Sequence, residues 1–247
     1  VSARIRVAIP GLAQGTVALD RAASRYLAGV LRARRGDTFV AFDPDKGLEA
    51  DGQIAHVERG RVHAELGPVR PARLVARLPI TWIQGLAKGE KMDSIVRDAT
   101  ELGATRFVPV ETAFSVVKLD GARGEARRAR WTRIAEEAAR QSGRADPPAV
   151  SPVEPWEVAL GSVTFETARF CLFERAHDPI GPALSRALAR HAALAFAVGS
   201  EGGLTDDEVE HARETGFLPV SLGDLILRTE TVVTAVLGAV RILLPPM

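Results

Sequence analysis

Gly199-Ser200-Glu201-Gly202-Gly203-Leu204 and, one short apolar run later, Leu222-Gly223-Asp224-Leu225-Ile226-Leu227-Arg228-Thr229-Glu230-Thr231 are the two stretches whose reading decides the fold. Each follows a run of strand character (residues 194–198 and 218–222) and each leads directly into a helical pattern. Glycine lets a backbone approach a ligand closely, and a helix start offers free N–H groups. Two such loops at the carboxyl ends of parallel strands make a ligand crevice. Glu201, Arg228 and Glu230 sit at these loops as polar groups suited to orienting what binds there.

Working outward, strand and helix patterns alternate from Leu74 onward, which predicts a parallel sheet in an α/β fold. Strands are expected over 78–83, 107–110 and 168–173. Residues 91–102 carry Met92, Ile95, Val96, Ala99 and Leu102 at helical spacing, with Gly103 as the stop. Residues 127–142 form an arginine-rich helix, and Thr205-Asp206-Asp207-Glu208 has the spacing of a capping box. The last helix, 230–244, is apolar almost all round, so its own sheet or a second subunit must cover it.

Upstream, residues 1–70 alternate apolar and polar positions in short runs (4–9, 38–42, 52–57, 61–66) between turns such as Gly36-Asp37 and Arg59-Gly60. One helix, 20–31, interrupts them. This pattern predicts a small β-barrel, followed by a linker at Gly67-Pro68-Val69-Arg70-Pro71.

The 247 residues are 46% hydrophobic and 26% charged, an ordinary globular composition. No apolar run approaches the roughly 20 residues that span a bilayer, so no membrane is expected and the cytoplasm is the default location. The net charge of +1 hides an uneven distribution. Seven arginines fall between Arg123 and Arg144, a second basic group is Arg32, Arg34 and Arg35, and residues 201–214 are acidic. Such helix arginines are often only a solvated face, but two clusters raise the prospect of a polyanion partner. The lone Cys171 lies in an apolar run and reads as a buried strand thiol. His56, His63, His177, His191 and His211 are scattered along the chain without a metal-ligand spacing, so no metal is expected. Neither a nucleophile elbow nor a P-loop is present.

Several motifs in order then carry a family resemblance over nearly the whole chain. They are Tyr26-Leu27-Ala28-Gly29-Val30-Leu31-Arg32 with Gly36-Asp37, Lys88-Gly89-Glu90-Lys91-Met92-Asp93, and Thr100-Glu101-Leu102-Gly103-Ala104. Trp131-Thr132-Arg133-Ile134, Glu137-Ala138-Ala139-Arg140-Gln141-Ser142-Gly143-Arg144, Pro147-Pro148 and the two glycine loops complete the set. The chain resembles the RsmE family of ribosomal RNA uracil-N3 methyltransferases, in the SPOUT superfamily.

The resemblance implies a PUA-like, RNA-binding β-barrel over residues 1–70. It implies a SPOUT methyltransferase domain over 71–247, with a parallel sheet, a C-terminal trefoil knot and S-adenosylmethionine bound in the knot. It further implies a homodimer whose partner subunit completes the RNA site, and small-subunit (16S) ribosomal RNA as substrate. Carried over residue by residue, Arg228 and Glu230 are the catalytic candidates. Leu172, Phe173, Glu174, Gly199, Ser200, Glu201, Gly202, Gly203, Leu222, Gly223, Leu227 and Thr229 are the cofactor-binding candidates, and Arg32, Arg34, Lys88, Lys91, Gln141, Ser142 and Arg144 the RNA-binding ones. Glu174, Glu201, Gln141, Ser142 and Arg144 are also candidates for the site wall. The chain departs from the family pattern at Ser200 (usually proline), Leu225 and Phe114 (usually arginine), Asp98 (often lysine) and Arg25 (commonly histidine). These departures define the alternatives: a diverged paralogue methylating a different RNA base, or an RNA-binding ribosome-assembly factor.

Overall fold

A computed structural model of the chain describes residues 5–116, 119, 121–190 and 192–244; Arg4, where the first strand was expected to begin, and His191 lie outside them. The chain divides into two compact units, one running up to Val75 and taking in Ala139–Pro147, the other comprising Ala76–Ala138 and the chain from Pro148 onward.

The first unit opens with β1 (Arg6–Ala8) and β2 (Gly15–Ala18), followed by helix α1. Helix α1 runs as an α-helix over Arg21–Ser24 and widens to π geometry over Arg25–Val30. Asp20 caps it by accepting from the Ala23 N–H at 2.7 Å. Strands β3 (Thr38–Asp43), β4 (Leu48–Glu58), β5 (Arg61–Leu66) and β6 (Arg70–Pro71) follow. The sheet order is β1-β3-β4-β5-β2, with β6 on β4, and every pairing but β1–β3 is antiparallel. Strand alternation turns Phe39, Ala41, Ile54, Val62 and Ala64 inward around Leu27. Two expectations change. Strand β2 was not foreseen, because Gly15 and an exposed alternate face weaken its pattern. The segment expected as a linker is partly strand, since β6 pairs Leu48 with Pro71 and Glu49 with Arg70.

The second unit runs β7 (Ile80–Gly85), α2 (Lys91–Glu101), β8 (Arg106–Glu111), α3 (Gly121–Ser142, whose last turn belongs to the first unit), β9 (Ala149–Val150), β10 (Glu154–Pro155), α4 (Trp156–Gly161), β11 (Ala168–Leu172), α5 (Ile180–Arg190), β12 (Leu194–Val198), α6 (Asp206–Glu214), β13 (Leu218–Val220) and α7 (Thr229–Leu243). Its seven-stranded sheet has the order β10-β8-β7-β12-β11-β13, with β9 on β8, and all its pairings are parallel. Parallel sheets are covered on both faces, and the central strands are accordingly buried throughout. Trp82, Phe107, Phe170 and Phe196 pack on one face with α2, α5 and α7. Ile83, Val108, Cys171, Ala195 and Ala197 pack on the other with Trp156, Leu160, Val209 and Ala212.

The helix predictions hold where capping or periodicity was strong. Thr205 accepts from the Glu208 N–H at 3.2 Å while Glu208 accepts from the Thr205 N–H at 2.8 Å, the reciprocal capping box. Helix α7 buries only part of its apolar surface within the chain. Val232, Val233, Val236, Leu237 and Val240 are buried against the sheet, whereas Ala235, Ile242 and Leu243 are exposed. Helices α4 and α5 were missed: α4 is only six residues long, and α5 begins with Ile180-Gly181-Pro182, which reads as a turn.

Candidate functional site

The sheet order reverses direction between β7 and β12, so the crevice at the carboxyl ends of these strands is where a ligand is expected. Gln84, fully buried at the end of β7, organises it. Trp82 Nε1 is a donor only and lies 3.0 Å from Gln84 Oε1, which sets the orientation of the amide. Gln84 Nε2 then faces Thr229 Oγ1 at 2.9 Å, Gly199 O at 3.0 Å and Gly85 O at 3.1 Å. The Thr229 hydroxyl donates in turn to Gly199 O at 3.2 Å. One side chain therefore joins β7, the β12–α6 loop and the start of α7. The next residue must be glycine, because a Cβ on Gly85 would lie 2.5 Å from Ser200 N and 2.7 Å from Gly199 C.

A cavity of about 640 Å³ opens beside this junction, within the usual size range of a small-molecule site. All twelve cofactor candidates line it: Leu172 at the end of β11 with Phe173 and Glu174 just beyond, Gly199 to Gly203 after β12, and Leu222, Gly223, Leu227 and Thr229 after β13. Arg228 and Lys91 line it too. Gly203 (φ +76°) and Gly223 (φ +101°) hold left-handed conformations that L side chains rarely adopt. Sequence reasoning missed Val198, Val220, Leu225, Ile226 and Val232 in the lining. Val198 and Val220 are the last residues of β12 and β13, a signal the strand boundaries already carried.

Charge in the site is organised around Lys91. Its Nζ is 3.1 Å from Glu201 Oε1 and 4.0 Å from Glu230 Oε2. Burial by itself would raise the Glu201 pKa, but hydrogen bonds from the backbone N–H groups of Lys88 and of Glu201 itself, with the Lys91 ammonium, outweigh it and hold the carboxyl below its ordinary value. Glu230 sits in the first turn of α7, favourable for a carboxylate, and its Oε2 is buried without a hydrogen-bond partner among the described residues. It is not among the residues lining the cavity. Arg228 is exposed at the N-cap of α7 and forms no ion pair with any described residue. Cys171 is fully buried, and burial pushes its thiol up to about 12, so it stays protonated as the inert strand thiol expected.

The other candidates lie elsewhere. Lys88 contributes its backbone N–H to Glu201, and its side chain is exposed. Arg32, Arg34, Gln141, Ser142 and Arg144 belong to the first unit and are not among the lining residues. Arg32, Arg34 and Gln141 are exposed, whereas the Ser142 hydroxyl donates back to Ala139 O. Arg144 is only 6% exposed, and its guanidinium is held by the carboxylate and carbonyl of Asp146. The Arg144 guanidinium is thus engaged within its own unit. In the arginine-rich helix, Arg130 is bound to Asp93 at 2.6 Å and Arg128 donates to Val150 O, while Arg123 and Arg127 face solvent.

The departures from the family pattern also find places. Phe114 covers the first loop so closely that a Cβ on Gly202 would lie 2.6 Å from its Cβ. The Phe114 segment is held in place by Glu208, whose Oε1 accepts from the Ala113 N–H at 2.7 Å. Ser200 is 5% exposed and its hydroxyl is buried without a hydrogen-bond partner among the described residues. Asp98 Oδ2 accepts from the Thr234 hydroxyl, linking α2 to α7. Leu225 and Ile226 are 79% and 85% exposed on the cavity rim.

Two consequences are measurable. Gln84→Leu leaves the buried Trp82 N–H without its acceptor, at about 1–3 kcal/mol for an unsatisfied group, and denaturant unfolding should report a loss in that range. Glu201→Gln should lower the melting temperature at neutral pH. Because the Glu201 pKa is depressed in the folded state, its contribution is full above the unfolded carboxyl value of about 4.3. That contribution is lost as pH falls through the folded value, so melts of parent and variant should converge on acidification.

A family model for an RNA methyltransferase domain matches residues 75–241. Ribosomal RNA small subunit methyltransferase E from Synechocystis sp. is 34% identical, with the alignment covering 98% of this chain and 78% of that protein. The Bacillus subtilis protein of the same name is 32% identical over 87% of this chain and 85% of its own length. A crystal structure of the Neisseria gonorrhoeae protein of that name, bound to S-adenosyl methionine, superposes with a TM-score of 0.88 at 32% identity, covering 97% of this chain and 98% of that one. With similarity of this extent in both sequence and structure, the chain belongs to the ribosomal RNA small subunit methyltransferase E family.

Proposed function

We propose that this protein uses S-adenosylmethionine to methylate N3 of a uridine in small-subunit (16S) ribosomal RNA. The observation that carries the proposal is the single cavity into which the ends of β11, β12 and β13 deliver all twelve cofactor candidates. The site suits the group: the glycine-bearing loops would offer backbone N–H and carbonyl groups to its polar parts, and Leu172, Leu222 and Leu227 would supply an apolar wall. When bound, S-adenosylmethionine supplies an activated methyl group on a sulfonium leaving group.

Uridine N3 carries a proton at neutral pH and is a poor nucleophile until that proton leaves. Arg228, exposed at the cavity and free of a carboxylate partner among the described residues, stabilises the negative charge that develops on the uracil carbonyls. Glu230 is the candidate base or proton relay, with Lys91 set between it and Glu201. Lys91 lines the cavity, with its ammonium 4.0 Å from Glu230 Oε2.

The finer architecture belongs to the same reading. Residues 1–70 form a PUA-like barrel that binds RNA, aided by Arg32 and Arg34. Residues 71–247 form a SPOUT domain whose end is threaded as a trefoil knot. The tie from Thr229 to Gly199 and Gln84, linking the start of the last helix to two earlier segments, supports that threading. The protein acts as a homodimer, with exposed Ala235, Ile242 and Leu243 of α7 as apolar surface for a second copy, and works in the cytoplasm. No helix among the described residues is long and apolar enough to cross a membrane. A second reading, methylation of a different base, is favoured by Phe114 and Leu225, which place apolar groups at the site where the family pattern has arginine.

Incubation with radiolabelled S-adenosylmethionine and small ribosomal subunits lacking uridine N3 methylation, followed by digestion to nucleosides, should yield labelled 3-methyluridine. Label in another nucleoside would establish the second reading, and absence of label would overturn both. Arg228→Ala should reduce turnover by about 10²-fold with cofactor affinity nearly unchanged, as single-turnover assays and calorimetry would show.

A further inference from the structure

The outer face of the β4–β5 hairpin brings together three metal-ligating side chains that the methyltransferase reading leaves without a role. His56 and His63 are directly opposed across the two strands. Their rings stack with centroids 4.3 Å apart and an interplanar angle of 8°. Glu58 lies two residues beyond His56 on the same face, and ligand atoms of all three lie within 4.8 Å of one another.

This grouping is a product of backbone geometry. The pairing register shifts between Ile54 and His56. Up to Ile54, which pairs with Ala64 and points inward, strict alternation would put Ala55 opposite His63. The extra residue of the bulge moves His56 and Glu58 onto the outer face instead. Bulges re-aim side chains in this way and are frequent near functional sites. Arg61 stands opposite Glu58 in the register, and its Nε donates to Leu19 O at 3.2 Å. Glu58 has no ion pair among the described residues. Arg59, in the turn itself, is exposed.

We propose that His56, His63 and Glu58 form a zinc(II) site on the first unit. Two imidazoles and one carboxylate are a recurrent zinc donor set, with water completing a tetrahedron. These side chains are wholly or partly exposed, so modest rotations bring their ligand atoms to bond lengths of about 2.0–2.2 Å. The ion ties the two strands of the hairpin together and neutralises the acidic side chain at its tip.

Protein stripped with EDTA and titrated calorimetrically with zinc chloride should bind one ion per chain. Cobalt(II) added in its place should give the intense visible absorption of a tetrahedral site. His56→Gln and His63→Gln should each weaken zinc binding at least tenfold, and Glu58→Gln by a smaller factor, with far-UV circular dichroism unchanged from the parent. Zinc should also raise the melting temperature of the parent and leave that of the His56→Gln/His63→Gln protein unmoved. Absence of saturable binding at one equivalent, or equal affinity in the parent and the doubly substituted protein, would overturn the proposal.

Discussion

The buried amide of Gln84 is the constraint on which the site depends. A glutamine with no exposure is tolerated only when its donors and acceptor are matched, and here Trp82, Gly199 and Thr229 match them. Because Trp82 can only donate, the amide has a single satisfied orientation, and that orientation points both N–H groups at the loop and helix that close the cavity. The same junction explains the glycines. With Gly85 against the backbone of Gly199 and Ser200, a side chain at Gly85 would push β7 and the β12–α6 loop apart, and one at Gly199 would strike the Gly203 backbone within the loop itself.

Around this neutral junction the charges are arranged in a second layer. Lys91, from the first turn of α2, is held between Glu201 of the first glycine loop and Glu230 of α7. Glu201 also accepts from the Lys88 backbone, so the segment preceding α2 and the loop following β12 are fixed to each other. Arg228 is left out of this network and faces the cavity opening.

Much of this was legible in the sequence for definite reasons. The glycine loops stood out because glycine next to a strand end has few other uses, and β12 is found at its expected bounds, Leu194–Val198. The capping box at Thr205 was readable because the interaction is local, between residues three apart. Helix α5 and the placing of Glu230 beside Lys91 were not. The helix start is disguised by Gly181-Pro182, and the position of Glu230 beside Lys91 depends on a partner distant in sequence. Histidines that looked scattered along the chain met across a hairpin because a bulge changed the register.

By itself the sequence determined most of the strands and helices, which loops carry glycine, and which side chains could bear chemistry, since periodicity, capping and turn preference act over a few residues. Tertiary structure alone decided which of those side chains meet. Gln84 lies 145 positions from Thr229 and Lys91 more than a hundred from Glu201, and no local pattern encodes such pairs. Sheet order and the close packing of glycine backbones set them, because a buried polar group is stable only where folding delivers its partner.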